Sequence, residues 1–239
     1  MPYKPHRSKT ASQPLPALRP PSWKLETVPE SRWPAFAAAS VVIAGQWWIS
    51  SALGMQPVWF LPAVAAALLA VSVAVYLPER QTPSRLARGL AVSLVGVLVL
   101  ANVMSLVQLV RGVFLGSALG PSGLLLAGLA LWVTNVAVFA LVYWELDGDG
   151  PESRADGYPD YPDLVFPQQQ SDQQGLAPAD WKPMFLDYLY VSLTAGTAFS
   201  PTDAMPYSKR IKVAMGLESS MCFVVLAMVV ARAINIAKG

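Results

Sequence analysis

Glu218 stands inside residues 213–231, a run that carries no other charge. Counted from Ser208 it lies ten residues into the helix that run would form. At 1.5 Å per residue that is roughly 15 Å, the middle of a hydrocarbon core about 30 Å thick. Charged side chains at such a depth cost roughly 2.5–3.5 kcal/mol on insertion scales, so an acid there needs a partner, a proton or a function. Positions 214, 215, 221 and 222, its neighbours on the helix surface, are Ala, Met, Met and Cys. Neutralisation must therefore come from another helix or from protonation, with Ser192, Thr194 and Asn135 as the candidate hydrogen-bond partners. An ion or proton site and a structural hydrogen bond both fit.

The second place where chemistry could occur is YLYVSLTAGTAFSPTD, residues 188–203. Ser192, Thr194, Gly196, Thr197 and Asp203 put hydroxyls, a flexible backbone and an acid within twelve positions. This segment reads as a short helix ending in a glycine turn, with Pro201 and Pro206 preventing one straight continuation and Thr202 or Asp203 able to cap the next helix. Non-helical backbone survives at membrane depth only when shielded by protein or lining a wet cavity, which suggests a re-entrant hairpin. Asn102, Ser105 and Gln108 share one slowly rotating face, and Thr134 and Asn135 interrupt another apolar helix. Amides are costly in lipid, so Asn102, Gln108 and Asn135 are expected to join helices, with a pore or ligand role as the alternative.

Other chemistries lack their residues. The chain has one cysteine, Cys222, and one histidine, His6, too few for a disulfide, a His-based metal site or a Ser-His-Asp arrangement. Intramembrane hydrolysis needs paired acids, a dyad or metal ligands, so no enzyme, catalytic residue, metal or cofactor is expected. A net charge of +2 gives no basis for nucleic-acid binding. Glu145, Asp147, Asp149, Gly150 and Asp156 occupy positions 1, 3, 5, 6 and 12 of a calcium-loop frame. Glu at the first position, Asp at the last and Pro151 directly after the glycine depart from that frame.

The elements that must hold these residues follow from charge patterning. Residues 33–78, a run of 46, contain no charged side chain, enough for two crossings of roughly 20 residues each. Gly54 and Pro57 divide the run into helices near 34–53 and 58–77, with Trp47, Trp48, Trp59 and Tyr76 suited to interfaces. Residues 89–110 and 122–144 supply two more spans, 183–199 a short segment containing Asp187, and 207–236 the last helix. The predicted fold class is all-α: a polytopic helical membrane protein with about five full transmembrane helices and one short re-entrant or half-spanning helix, six spans being the alternative. Overall, 54% hydrophobic against 13% charged residues agrees with it.

Three regions result. Residues 1–33 form a basic, proline-rich tail expected to be disordered, 34–120 a three-helix membrane region, and 121–239 a second module containing an acidic linker at 145–181. That linker sets nine acids against Arg154 alone and is expected to be solvated and mobile. A polar stretch of some 33 residues precedes the first apolar run, so the first helix is expected to be an uncleaved anchor.

Helix, polar linker, Ser/Thr-rich short helix, glycine turn, acid, proline, basic cluster and a final helix LESSMCFVVLAMVVAR follow in order. Over residues 122–236 this order resembles the pore module of two-helix, pore-loop potassium channels. That resemblance implies that Ser192, Leu193 and Thr194 correspond to the end of a pore helix, and that several subunits would surround one axis. Residues 195–200, AGTAFS, keep one glycine and lack the aromatic-glycine pair, so potassium selectivity is not implied. The chain as a whole also resembles bacterial multi-spanning membrane proteins of unassigned function that share a TAFSPTD-like stretch before a final helix.

Basic residues before the first helix and in the Arg80–Arg88 loop place the N-terminus in the cytoplasm, and two further crossings return the acidic linker there. A potassium-channel pore loop enters from outside, so the charge rule and the resemblance disagree on sidedness. The expectation is a multi-pass protein of the bacterial inner membrane, of pore-loop type, conducting or sensing a monovalent cation or proton and able to form homo-oligomers. A non-catalytic membrane scaffold recruiting partners through its tail and linker is the alternative.

Overall fold

The computed structural model describes residues 20–54, 57, 59–77, 85–115, 120–157, 161–171, 176–198 and 204–237. Its long elements are helices: α1 (Trp33–Ala52), α2 (Phe60–Tyr76), α3 (Arg85–Leu115), α4 (Pro121–Leu146), α7 (Phe185–Ala198) and α8 (Lys209–Ala237). Two short helices, α5 (Pro151–Ala155) and α6 (Pro167–Ser171), lie between α4 and α7. β1 (Leu164–Val165) and β2 (Met205–Pro206) form an antiparallel pair with Leu164 opposite Pro206.

Four segments are long and apolar enough to cross a membrane: Trp33–Ala52, Arg85–Leu115, Ser122–Asp149 and Lys209–Ala231. α2 is apolar but only 17 residues long. These helices are apolar on all sides, the pattern of elements buried in a large core or in lipid. Pro at the first turn of α1 and of α4 needs no intrahelical amide partner, which suits it to those starts.

α4 is the central element, packed against α1, α3, α7 and α8. Every residue from Val138 to Trp144 is buried. Close approach depends on glycines: a Cβ on Gly45 would stand 2.7 Å from Thr134 Cγ2, and one on Gly128 2.8 Å from Val229 Cγ2. Small residues at such crossings let the helix backbones approach closely. The outside of the bundle is the converse, with Val41, Leu100, Phe114, Leu126, Val213 and Phe223 all more than half exposed.

One end of the bundle carries a folded, charged cap. Arg32 donates to Glu145 at 2.7 Å and to both oxygens of Glu152 at 2.6 Å, and Arg88 donates to the other Glu145 oxygen at 2.6 Å. Buried Asp147 accepts from the Asp163 and Leu164 amides and, at 2.6 Å, from the Tyr188 hydroxyl. Arg154 donates to the Trp144 and Asp147 carbonyls, lies over the Trp144 and Tyr188 rings, and is 2% exposed. Gly148, Asp149 and Gly150, all at positive φ, turn the chain from α4 into α5.

This packing differs from the solvated linker expected at 145–181. Glu145, Asp147 and Asp163 are buried because guanidinium groups, backbone amides and a tyrosine hydroxyl satisfy them, and Arg154 because backbone carbonyls accept from it. The tail differs likewise between 20 and 32: Glu30 accepts from the Trp144 indole and the Phe185 amide, Thr27 donates to the Ala155 carbonyl, and Arg32 is 5% exposed. Residues 1–19 of the expected tail lie outside the described residues.

The cap also sets chain direction. α7 begins at Trp144, where Phe185 makes an edge contact with the indole, and α8 begins where Arg210 meets Asp163 at 2.8 Å. Both helices therefore start at the same end and run inward side by side, so the chain returns to the cap between them. β2, paired with β1, lies back at that end.

Candidate functional site

Inside the bundle, polar side chains line up across five helices without a counter-charge. Glu218 on α8 is fully buried. One carboxyl oxygen receives the Tyr143 hydroxyl of α4, and the other contacts the Ser192 hydroxyl of α7. Ser192 is also fully buried and lies 2.7 Å from the Val136 carbonyl. Among the described residues, the groups within hydrogen-bonding distance of Glu218 are these two hydroxyls, with no cation. Tyr143 belongs to the same buried wall as Phe139, its ring neighbour at 6.2 Å.

A serine hydroxyl has one hydrogen to give. The geometry offers Ser192 two acceptors, the Val136 carbonyl and Glu218. With a proton on Glu218 every group is served: the carboxyl donates to Ser192 Oγ, Ser192 donates to Val136, and Tyr143 donates to the second carboxyl oxygen. With Glu218 ionised, either Val136 or the carboxylate loses its Ser192 donor. Val136 keeps its helical amide and the carboxylate keeps Tyr143, so the two states differ by one buried hydrogen bond, about 0.5–1.5 kcal/mol, and by the charge itself.

One turn further along α8, Cys222 accepts from Asn135 at 3.1 Å. Asn135 in turn accepts from Asn102 at 2.9 Å, and Asn102 accepts from Thr134 at 3.0 Å and from Gln46, more loosely, at 3.4 Å. Gln46 also donates to the Leu98 carbonyl at 2.9 Å. Donor and acceptor alternate head to tail from α1 through α3 and α4 to α8. Gly196 closes the gap between this ladder and Glu218, since a Cβ there would meet Cys222 Sγ at 3.1 Å, Val136 Cγ2 at 3.4 Å and Glu218 Oε1 at 3.8 Å.

The residues singled out by sequence divide accordingly. Ser192 and Gly196 face Glu218, while Asn102 and Asn135 join α3 to α4. Thr194 and Thr197 turn back to their own helix, donating to the Val191 and Leu193 carbonyls, and Thr197 is exposed. Gln108 is half-buried and joins no side-chain hydrogen bond among the described residues. Asp203 lies outside the described residues. Of the partners expected for Glu218, Ser192 contacts it, whereas Thr194 and Asn135 bond elsewhere.

Gln46, Tyr143 and Cys222 were missed. Gln46 is the one amide in the middle of α1, a signal the sequence did carry. Tyr143, an aromatic in an apolar helix, carries no signal of its own in the sequence. The calcium-frame carboxylates have diverged: Glu145 turns to Arg32 and Arg88, Asp147 to backbone amides and Asp149 to Arg210. Among the described residues no group of three His, Cys, Asp or Glu is placed to hold a metal.

The cap differs electrostatically from this interior. Burial pushes the Arg32 guanidinium down, but the carboxylates of Glu152 and Glu145 outweigh it and hold it above its ordinary value. Burial raises Glu152 and Asp163, yet the hydrogen bonds from Arg32 and Arg210 keep both below the usual carboxylate range. Lys182 is pushed down to about 8, by burial and then by Arg154. Compared with protein-family models, with curated proteins and with solved structures, the chain finds no match in any of the three.

Proposed function

We propose that this chain is a polytopic α-helical membrane protein that senses protons through Glu218. Support for the membrane comes from its inverted construction: a polar ladder within, large apolar side chains without, and four helices long enough to cross. In this topology α1, α3, α4 and α8 cross, α2 crosses where the bilayer thins around it, and α7 re-enters from the cap side. Arg32, Arg85, Arg88, Lys209, Arg210 and Lys212 lie toward the capped end, which supports a cytoplasmic location for that end.

The observation that carries the sensing role is Glu218 itself, fully buried between two hydroxyls. Gain or loss of one proton changes whether Ser192 can serve Val136, and so changes how α7 is held against α4 and α8. The titratable groups facing the carboxyl are Tyr143 from α4 and Cys222 from its own helix, with Ser192 from α7. A fluorophore on Thr197→Cys, in a Cys222→Ser background reconstituted into vesicles, tests the coupling. Its signal should titrate with pH and fall silent in Glu218→Gln; a response that persists in Glu218→Gln would overturn the proposal.

Conduction is the second reading, favoured by α7 and α8 starting from one end as a pore-loop module requires. Thr197, exposed at the inner end of α7, would then face a subunit axis, whereas Ser192 and Gly196 would support it from behind. Ionic current across planar bilayers, abolished by Thr197→Val, would move the balance to that reading.

A further inference from the structure

A cavity of about 400 Å³ opens between the cap and helices α1, α2, α3 and α4, where Leu141, Trp144 and Glu145 of α4 line it. Sites for small molecules begin at about this size. Its deep wall is apolar, built from Ala35, Phe36, Ala39, Ala91, Leu94 and Val95. The mouth is charged, and most of those charges are already matched: Arg32 and Arg88 to Glu145 and Glu152, and Glu30 to the Trp144 indole. Two are not. Arg85 and Asp156 line the same mouth, both are exposed, and neither has an ion-pair or side-chain hydrogen-bond partner among the described residues.

An unmatched cation and an unmatched anion over an apolar floor complement a zwitterion that carries a chain. Trp33, Phe36 and Tyr76, stacked edge to face beside the cavity, provide the amphipathic aromatic cluster typical of a headgroup level. We propose that this cavity binds one phosphoethanolamine lipid, its phosphate on Arg85, its ammonium on Asp156 and the first carbons of one acyl chain against Ala91 and Leu94. A phosphocholine head has no N–H to give Asp156, and a phosphoglycerol head has no cation at all, so the amine lipid is the better match.

The inference rests on the membrane reading, and the two can fail separately. Purified protein in detergent is incubated with phosphoethanolamine or phosphoglycerol lipid, and retained lipid is counted by native mass spectrometry. One phosphoethanolamine lipid per chain is expected, with about tenfold weaker retention in Arg85→Glu, an exposed position that leaves the core untouched, and none in Ala91→Phe, which fills the floor. Equal retention of phosphoglycerol lipid, no retention of either, or an Arg85→Glu protein that binds like the parent would each overturn the site. Failure of the membrane reading would look different: the chain would partition into the aqueous phase on detergent phase separation.

Discussion

The cap and the interior ladder solve the same problem with opposite chemistry. At the cap, Glu145 is 4% exposed in its side chain and meets two guanidinium groups. In the interior, Glu218 is equally hidden and meets two hydroxyls. The carboxylate at the cap is ion-paired on both oxygens, and its removal takes one side-chain partner from each guanidinium. Between hydroxyls a carboxyl is uncharged when protonated and becomes a lone buried charge when it ionises, so the interior is the region where one proton changes the balance most.

Glu145→Ala should therefore have the largest effect, since it leaves buried Arg32 with Glu152 alone and Arg88 without its close carboxylate partner. Breaking a buried pair from one side costs about 3–5 kcal/mol, read as a lowered unfolding midpoint in detergent. A midpoint unchanged from the parent would show the cap to be dispensable. At the interior site, Glu218→Leu should cost less, about 1–3 kcal/mol for the Tyr143 hydroxyl it strands, since Ser192 keeps Val136, while Glu218→Gln should stay near the parent because its amide carbonyl still accepts from Tyr143. Equal losses for the two substitutions would mean that packing, not hydrogen bonding, governs the site.

Acid sharpens the contrast next. Glu152 and Asp163 have native values depressed below their ordinary 4.5 and 3.8. The native state thus binds fewer protons than the unfolded one, and their stabilisation is present above those ordinary values and lost as pH falls through the depressed ones. Limited proteolysis should cut the 145–171 region faster below pH 4 while leaving the helices intact. A rate independent of pH would contradict the ion-pair account. Smallest of all should be Arg210→Ala: the side chain is 43% exposed, and exposed pairs contribute about 0–1 kcal/mol. A larger loss would mean that Arg210 secures the start of α8 more firmly than its exposure implies.

Much of the scaffold was legible from charge-free run lengths, as the ends of α3, α4 and α8 fell within a few residues of those expected. Glu218 and its contact with Ser192 were legible because a lone acid in an apolar helix must find a neighbour. The cap was not. Its acids read as solvated because their partner Arg32 lies 113 positions before Glu145, and no local pattern announces a pairing that distant. Tyr143 was hidden for the opposite reason, since an aromatic in an apolar helix looks like any core residue until its hydroxyl is seen against a carboxyl.

Infrared difference spectroscopy of the reconstituted protein, with Glu218→Gln as the reference, examines the protonation of that carboxyl directly. A carbonyl stretch of a protonated carboxyl, present at neutral pH in the parent and missing in Glu218→Gln, is the predicted result. A carboxylate band at that position, or two identical spectra, would contradict the account.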